Sequence, residues 1–518
     1  MGEVTLKGRF YLKPGIQLIP GDGEGIVLIH DPLRIFRVNT AAFDLLQRCR
    51  KGFSLEYGLR PGGAYAPEGM RDVLPFLDSL CEAGVLEWKP PDEPFEPFVS
   101  IIIPVYNRAH EIGQCLESLL FLDYPSSKRE IIVVDDASED HTVFMVRRYK
   151  VRLIVQKYNQ GQSAARNVGV KAAKGEIIAF MDSDCIADQR WLRELAPYFQ
   201  DLRNALVGGY VDSFFRETWL DRYEEVQSPL NMGQKRLIGA VKESSFYVPT
   251  CNMLVRKDAY LKMGGLDEGL SVGEDVDLCW RLKKKGYRLV YIPKGKVKHK
   301  HRSRFSQSFK RRFEYGTSEA FLYAKHREIK KRFPWQPAGL AVLLACCLGL
   351  LTNPFLFFSI AALILLGESL CKKIQVGTKI QAPLAFGNIL WAIIRSHYTL
   401  AYFLTHHVIR YYLLPVVFLA ALFPQLVLLT TCLVLFPTIV EFVRKKPRLF
   451  FPLFLFFFLT EQAFYQTGVF WGCLKQRSFR LYRISFTHVS FLKRTQSPAH
   501  NWLKKLFRKA EETFTFSR

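Results

Sequence analysis

The chain has 518 residues, a formal net charge of +24 and a hydrophobic content of 49%. This length allows two or three domains, and positive charge combined with apolar content favours a membrane-associated protein over a soluble one. Basic residues outnumber acidic residues by eighteen to three between positions 283 and 332, and by eleven to two between positions 475 and 518. Because both stretches flank long apolar segments, we expect them to contact anionic lipid headgroups, and we expect no nucleic-acid partner.

The eleven cysteines are irregularly spaced, and none belongs to a paired C-x-x-C pattern. The sequence therefore supports neither a structural zinc site nor a disulfide framework. It begins without a basic and then apolar leader, so we expect no secretory signal. These features predict reduced, mostly buried thiols in a cytoplasmic compartment.

The composition changes several times along the chain. The stretch Pro90-Pro91-Asp92-Glu93-Pro94 is typical of a linker, and the residues before it predict short strands followed by helices. The predicted segments are a small winged-helix-like α+β domain at 1–92, an α/β domain at 97–305, a basic connector at 306–337, hydrophobic membrane-associated helices at 338–474 and a basic cytoplasmic tail at 475–518.

The central region alternates apolar strands with amphipathic helices. Such alternation predicts a mostly parallel sheet with helices on both faces, and ligands of such sheets bind beyond the carboxyl ends of the strands. The predicted strands are 98–103, 130–134, 152–155, 176–181 and 289–292, and the predicted helices are 109–120, 162–173 and 277–285.

The C-terminal region contains long apolar runs. Residues 338–367 and 411–440 carry no charge and exceed the ~20 residues that a spanning helix needs, whereas Glu461 interrupts the run 449–474. The segment 383–410 is expected to be amphipathic and interfacial. Positive charge on every flank suggests hairpins that turn near Pro354 and Pro424, with legs too short to span comfortably, and leaves the number of crossings open.

Asp182-Ser183-Asp184 directly follows an apolar strand. Mg²⁺ or Mn²⁺ prefers oxygen ligands and can neutralise a departing diphosphate, so Asp184 is the first-choice metal ligand. Asp182 would lie beside it, on a ribose or on the metal. Most Asp-x-Asp sequences are solvated turns, but the strand end favours the metal site here.

Two further motifs follow predicted strands. Asp136 ends one strand and can accept hydrogen bonds from a uracil ring, although it can equally cap the next helix. Arg166 lies in a predicted helix that begins at Gly161. The free N–H groups at the start of this helix and the guanidinium of Arg166 can approach a diphosphate. An ordinary helix start explains the second motif equally well.

Glu274-Asp275 begins a predicted helix. Transfer with inversion needs a base that takes the proton of the attacking hydroxyl, for which Asp275 is the candidate and Glu274 the second choice. The alternative is acidic charge that stabilises a helix N-terminus. In the stretch His299-Lys300-His301 one imidazole can complete the metal shell, with His301 as the candidate, or the stretch can form a basic surface near lipid.

These motifs resemble the family 2 glycosyltransferases of GT-A fold, a Rossmann-like nucleotide-sugar fold. The resemblance implies inverting, metal-dependent transfer from a UDP- or GDP-sugar, with nucleoside contacts at Pro104, Tyr106 and Asp136, metal at Asp184 and the base at Asp275. Processive members carry a Gln-x-x-Arg-Trp motif, which residues 307–313 do not match, and this argues against long-polymer synthesis. The matching segments are 103–108, 134–138, 159–161, 165–167, 180–184 and 273–277.

Residues 10–87 are similar to the PqqD-like domains, which bind a leader peptide by adding it as a strand to a sheet edge. A small packing domain without a ligand is the alternative. A PqqD-like start, a family 2 core and a hydrophobic tail together resemble the glycosyltransferases of the mycofactocin system. That resemblance implies UDP-glucose as donor and a peptide-derived redox cofactor, or its precursor peptide, as acceptor.

Two other functions stay open from the sequence. One is a cell-envelope glycosyltransferase that acts on a lipid or polysaccharide acceptor, and the other is a non-catalytic membrane scaffold. Retention of Asp136, Asp184 and Asp275 argues against the scaffold. We expect the protein at the cell membrane with its catalytic domain on the cytoplasmic face, where nucleotide sugars are found.

Overall fold

The computed structural model describes residues 8–21, 24–30, 33–54, 67–239, 246–380, 384–488 and 492–494. These residues form two compact units. The first unit contains the described residues of 8–16 and 39–301, and the second contains those of 17–38 and 302–494.

The strands are short and most lie before residue 300. They are Arg9–Leu12 (β1), Ile16–Pro20 (β2), Glu24–His30 (β3), Leu33–Asn39 (β4), Phe53–Ser54 (β5), Leu86–Lys89 (β6), Val99–Val105 (β7), Arg129–Asp135 (β8), Arg152–Val155 (β9), Ile177–Phe180 (β10), Cys185–Ala187 (β11), Asn204–Gly208 (β12), Val211–Ser213 (β13), Leu237–Gly239 (β14), Met253–Arg256 (β15), Arg288–Tyr291 (β16), Val297–His299 (β17), Lys331–Trp335 (β18), Ile484–His488 (β19) and Leu492–Arg494 (β20).

The helices are short in the first unit and long in the second. They are Thr40–Arg48 (α1), Pro67–Glu82 (α2), Ile112–Leu120 (α3), Thr142–Val146 (α4), Gln162–Ala172 (α5), Trp191–Leu195 (α6), Trp219–Gln227 (α7), Lys257–Lys262 (α8), Glu274–Lys284 (α9), Phe305–Lys325 (α10), Pro337–Leu351 (α11), Pro354–Ile380 (α12), Phe386–Leu422 (α13), Val427–Lys445 (α14) and Phe451–Lys475 (α15).

Within the described residues, the largest sheet has eight strands in the order β14-β16-β12-β15-β10-β7-β8-β9. Strands β10, β7, β8 and β9 run parallel, whereas β15 runs antiparallel to β10. The predicted strands and helices of the central region are confirmed, and so is the predicted α/β fold. The parallel half of the sheet places the ends of β7, β8 and β10 along one edge.

The hydrophobic core of the first unit lies on both faces of this sheet. Ile101 and Ile103 of β7 pack on one face with α3, and Ile102 packs on the other with α5 and α9. Because successive side chains of a strand point to opposite faces, a strand covered on both sides must be apolar throughout. This explains the continuous apolar run that the sequence shows at β7.

The N-terminal part of the first unit is tied to the large sheet by charge. Asp78 of α2 accepts from Arg203 at 2.6 Å and from Arg288 at 3.0 Å, and Arg288 also pairs with the buried Asp201. Strand β1 lies between β5 and β6 in a separate sheet of the described residues. The helix α2 therefore packs on the central domain through paired charges rather than through apolar contacts alone.

The second unit contains the long helices and two further small sheets. The sequence-predicted turns near Pro354 and Pro424 are confirmed, since helices end at Leu351 and Leu422. Helix α13 runs from Phe386 to Leu422 and so joins most of the expected interfacial segment at 383–410 to the start of the next apolar run. Its polar residues differ in exposure, since Arg395 is exposed whereas His397 is buried and pairs with Glu368 at 2.9 Å. An interfacial position of this segment stays a prediction.

Three helices within the described residues are long and apolar enough to cross a membrane, at 354–378, 386–422 and 424–445. These helices correct the prediction that each leg of a hairpin would be too short to span. Helix α15 packs closely on α10, because a Cβ atom at Gly468 would lie 2.0 Å from the carbonyl oxygen of Phe313. Small residues at such a contact are typical of helices that associate in membranes.

Candidate functional site

The sequence-predicted site residues gather at the edge of the eight-stranded sheet where β7, β8 and β10 end. Pro104 is buried within β7, and Tyr106 directly after it is 41% exposed. Asp136 directly follows β8, and Asp182 lies two positions after the end of β10. Since these three strands are parallel neighbours, their carboxyl ends form one continuous edge, as the sequence predicted.

The turns after β7 and β8 hold each other in place. Asn107 and Ala137 both have left-handed backbone, with φ of 51° and 62°. The backbone N–H of Asn107 donates to the hydroxyl of Ser138 at 2.9 Å, and the Asn107 side chain accepts from Glu139. Left-handed backbone at two non-glycine residues is uncommon, and such strain concentrates at ligand sites.

The carboxylate of Asp136 is buried and fully engaged with one loop. It accepts hydrogen bonds from the side chain of Gln156 at 2.6 Å and from the backbone N–H groups of Gln160 and Gly161 at 2.9 and 2.7 Å. Asp136 therefore does not cap the helix that follows it. It fixes the loop that leads into α5, and its contact with a nucleobase stays a prediction.

Arg166 links two motifs that the sequence treats separately. Its guanidinium is 1% exposed and donates to Asp182 at 2.5 Å and to Glu274 at 3.0 Å. Burial by itself lowers the pKa of Arg166, but the charges of Asp182 and Glu274 outweigh it, so the net shift of the Arg166 pKa is upward. A direct contact of Arg166 with a diphosphate, as the sequence suggested, stays a prediction, and the observed partners are the two carboxylates.

Two further polar residues of α5 bind the segment 260–274, although the sequence reasoning gave them no role. Gln162 donates to Glu274 at 2.9 Å. The side chain of Asn167 accepts from Tyr260 at 2.5 Å and from the N–H of Leu266, and donates to the carbonyl of Leu266. The sequence does contain a sign of these contacts, because Gln162, Arg166 and Asn167 are three polar residues within six positions of a helix that is mostly buried.

Asp184 lies beside an imidazole. Its Oδ1 atom is 3.5 Å from Nε2 of His299, and the side chains are 24% and 15% exposed. The pairing of β11 with β17 sets Cys185 opposite His299 and so brings His299 to Asp184. The ring of His301 has its centroid 4.9 Å from that of His299, and its role as a ligand stays a prediction.

The residues around Asp184 suit a hard divalent cation. A carboxylate oxygen of Asp184, the thiol of Cys185 and a nitrogen of His299 lie within 4.8 Å of one another. Burial raises the pKa of the Cys185 thiol well above its usual value, so the thiol stays protonated and is a poor ligand at neutral pH. Carboxylate oxygen is the ligand that Mg²⁺ and Mn²⁺ prefer, and Mn²⁺ also accepts an imidazole nitrogen, so Asp184 and His299 are compatible with the expected ions.

Asp275 is the second residue of α9, whose N-cap is Gly273 with a φ of 84°. Burial and the neighbouring carboxylate of Glu274 raise the pKa of Asp275 to about 7. Glu274 is buried against Arg166, so it is committed to an ion pair, whereas Asp275 accepts, within the described part of the chain, a local hydrogen bond from the N–H of Val276. The geometry thus favours Asp275 over Glu274 as a proton acceptor.

Three aromatic residues, Trp219, Tyr223 and Phe246, follow β13 and are candidates for stacking on a sugar ring. Trp219 is 47% exposed and carries the guanidinium of Arg222 at 4.9 Å from its ring. Tyr223 is buried, which removes it as a stacking surface, and the ring of Phe246 is covered by Lys283. Of the three, Trp219 presents the most open face.

Comparison with known proteins agrees with this geometry. The family described as "Glycosyl transferase family 2" matches residues 100–264. The chain is 30% identical over 347 residues to the pre-mycofactocin glycosyltransferase of Mycobacterium tuberculosis, which covers 66% of this chain and 71% of that protein. It is also 32% identical over 238 residues to the glycosyltransferase AglE of Haloferax volcanii, covering 45% of this chain and 76% of AglE.

Similarity to solved structures is weaker. The mannosyltransferase PcManGT from Pyrobaculum calidifontis, solved with GDP-Man and Mn²⁺, aligns with a TM-score of 0.38 at 18% identity, covering 63% of this chain and 94% of that chain. Staphylococcus aureus TarS 1–349 aligns with a TM-score of 0.36 at 17% identity, covering 74% and 93%. These alignments are too distant to bear on individual residues.

Proposed function

The chain belongs to the family 2 glycosyltransferases, and on that premise we propose that it transfers glucose from UDP-glucose to a peptide-derived redox cofactor precursor, the mycofactocin precursor. The similarity to the pre-mycofactocin glycosyltransferase carries this proposal, because it extends over 71% of that protein and beyond the family match. The acceptor and the sugar are the proposed part.

We infer that the donor lies on the edge formed by β7, β8 and β10. Pro104, Tyr106 and Asp136 are at the nucleoside end, and Asp182 and Asp184 are at the diphosphate end. Asp184 and His299, which lie 3.5 Å apart, would hold Mg²⁺ or Mn²⁺. A bound ion would supply positive charge opposite the departing diphosphate.

The residues of this chain then arrange one displacement step. The acceptor hydroxyl oxygen bonds to the anomeric carbon, the bond from that carbon to the phosphate oxygen breaks, and UDP leaves with the electron pair. Asp275 takes the hydroxyl proton, for which a pKa of about 7 is well suited. Arg166 holds Asp182 and Glu274 in fixed positions, and Glu274 precedes the proposed base directly in the chain.

We propose that the second unit places the enzyme at the cell membrane. Three described helices are compatible with membrane association, and basic residues follow them in the stretch 475–483. Positive flanking charge favours the cytoplasmic side, where the nucleotide-sugar donor is available. The PqqD-like region would then meet the precursor peptide in the same compartment.

The test uses the full-length protein in detergent with Mn²⁺ or Mg²⁺, a panel of UDP- and GDP-sugars and the mycofactocin precursor, with product mass as the readout. We expect additions of hexose from UDP-glucose. The Asp275→Asn variant is the matched control, because it removes the base while conserving the shape of the side chain. Donor hydrolysis without precursor modification would overturn the acceptor and favour lipid or polysaccharide. A folded protein that turns over no donor would overturn the enzyme assignment.

A further inference from the structure

An aromatic pocket of about 520 Å³ lies inside the second unit, far along the chain from the residues of the proposed active site. Its walls come from the middle of α13, the end of α15 and the residues just after α15. A volume of this size accommodates a small-molecule ligand or part of a lipid chain. The lining includes Tyr411, Pro415, Gln466, Phe470, Phe479 and Tyr482.

One wall of the pocket is held rigid by buried charge. The hydroxyl of Tyr411 donates to the carboxylate of Glu319, with both oxygens at 2.9 Å, and the ammonium of Lys331 lies 3.3 Å from the centre of the Tyr411 ring. Lys331 and Glu319 also form an ion pair at 3.4 Å. A side chain fixed in this way loses little conformational entropy when a ligand binds against it, which favours binding.

The opposite wall offers a hydrogen-bond donor. Gln466 is buried, and its Oε1 atom accepts from the backbone N–H of Leu414, one residue before Pro415, which lies inside α13. Because the oxygen of the Gln466 amide accepts this bond, the amide nitrogen remains available as a donor. Among the described residues, the Gln466 nitrogen has no hydrogen-bond partner. It can therefore donate to an ester or phosphate oxygen of a ligand in the pocket.

Residues 475–483, the basic rim, follow α15 and supply two lining residues, Phe479 and Tyr482. The exposed residues Lys475, Arg477 and Arg483 lie on this segment, and no acidic residue occurs between positions 475 and 488. Lys475 lies 5.5 Å from the centre of the Trp471 ring and Arg480 donates to the carbonyl of Arg327, which leaves Arg477 and Arg483 as the charges available to a ligand. An apolar lining beside a cationic segment is complementary to a molecule that has an apolar chain and a negative head.

We propose that this pocket binds one anionic membrane phospholipid, with an acyl chain among the aromatic rings and the phosphate at the basic segment 475–483. The site stands apart from the proposed transfer reaction, because it uses none of the residues at the sheet edge. With such a site, the second unit would prefer membranes that contain anionic lipid, in addition to its general affinity for the apolar part of a bilayer.

The experiment measures lipid binding to the full-length protein in detergent by native mass spectrometry. Dioleoyl phosphatidylglycerol and dioleoyl phosphatidylcholine are compared, because they share acyl chains and differ in head charge. We expect one phosphatidylglycerol per protein with a lower Kd than phosphatidylcholine. Equal Kd values for both lipids would overturn the proposal.

Two variants test the chain part of the pocket. Thr467→Trp fills the pocket, and Phe470→Ala removes a ring from its wall, so each should raise the Kd for phosphatidylglycerol by at least about tenfold. The matched control is Thr460→Trp. Thr460 lies on the same helix and, like Thr467, donates its hydroxyl to the carbonyl four residues earlier, but it does not line the pocket. Wild-type Kd in both pocket variants, or an equal loss in the control, would contradict the site.

A third variant tests the head part. Arg477→Gln with Arg483→Gln removes two exposed charges and should reduce the preference for phosphatidylglycerol about thirtyfold while leaving phosphatidylcholine binding unchanged. An unchanged preference would show that the phosphate lies elsewhere and would overturn the assignment of the rim. Size-exclusion profiles identify any variant that does not fold, and each remaining variant still tests the pocket by itself.

Discussion

Arg166 and Glu274 lie 3.0 Å apart although 108 positions separate them in the sequence. The other terminal nitrogen of Arg166 reaches Asp182, so one buried guanidinium joins the strand-end motif to the helix that carries the proposed base. Arg166 therefore couples the positions of these two motifs, and Gln162 adds a second bond to Glu274. This contact makes Arg166 a positioning residue whose loss should be felt in both stability and turnover.

Replacement of Arg166 by Met should lower the free energy of unfolding by about 3–5 kcal/mol, because it leaves a buried carboxylate without its partner. Turnover should be lost as well. Arg166→Lys is the control, since it keeps the charge but can hold only one of the two carboxylates well, and its loss should be intermediate. Thermal unfolding in detergent and donor turnover measure both effects. An Arg166→Met protein with normal stability would mean that the ion pairs contribute nothing net.

The pH dependence of kcat/KM should report Asp275 in the free enzyme. Because the pKa of Asp275 is raised to about 7, the basic form is lost below neutral pH, and kcat/KM should rise through pH 7 to a plateau. Asp275→Asn should reduce turnover at least ~10²-fold and remove this rise. A wild-type profile that is flat between pH 6 and 8 would assign the proton to another group.

Stability should respond to the same residue in the opposite sense. The pKa of Asp275 is raised from 3.8 in the unfolded chain to about 7 in the folded protein, so the folded protein binds the proton more tightly. That stabilisation is complete below pH 3.8 and is lost as pH rises through 7. Asp275→Asn should therefore raise the Tm at pH 8, with a gain that shrinks towards pH 5. A uniform shift in Tm at both values would point to packing instead of charge.

His299 and His301 make a matched pair for testing the cation site. His299→Ala should weaken Mn²⁺ binding in the presence of UDP at least about tenfold, whereas His301→Ala should change it little. The reason is the β11–β17 register, which places His299 and not His301 next to Asp184. Electron paramagnetic resonance titration of Mn²⁺ gives both affinities directly. A larger loss for His301→Ala would restore the ligand expected from the sequence.

Removal of residues 489–518 should strengthen binding of the precursor's leader peptide. Strand β20 pairs in parallel with β4, where Leu492 faces Ile35, and so occupies one edge of the sheet β2-β3-β4. An intramolecular strand competes at a high effective concentration, so its removal should lower the peptide Kd at least about tenfold. Fluorescence anisotropy of a labelled leader measures this change. An unchanged Kd would exclude the β4 edge as the peptide site.

The elements that the sequence predicts correctly are those that local pattern determines. The apolar run of β7 and the glycine-opened helix α5 follow from burial on both faces and from helix-start chemistry, which neighbouring residues alone decide. The grouping of the motifs after β7, β8 and β10 at one edge of the sheet can also be predicted, because neighbouring parallel strands have their carboxyl ends on the same side.

The features that escaped prediction depend on contacts between distant segments. Nothing near Arg166 in the sequence indicates that its partners are Asp182 and Glu274. The contact of His299 with Asp184 depends on the pairing of β11 with β17, two segments that are more than a hundred positions apart. The contact of His397 with Glu368 of the preceding helix likewise joins two separate elements, which periodicity within one segment does not indicate.

The pairing of β11 with β17 joins positions 185 and 299 through backbone hydrogen bonds, and the proposed cation ligands sit directly on that pair. A cation that binds only when β11 and β17 are paired stabilises the paired form, so its binding lowers the rate at which the small sheet β11-β17-β13 opens. Amide protons of β11, β13 and β17 should consequently exchange with solvent more slowly when cation and UDP are present together. The ion would then also hold β11 and β17 together, so the rigidity of this small sheet would depend on the concentrations of cation and nucleotide.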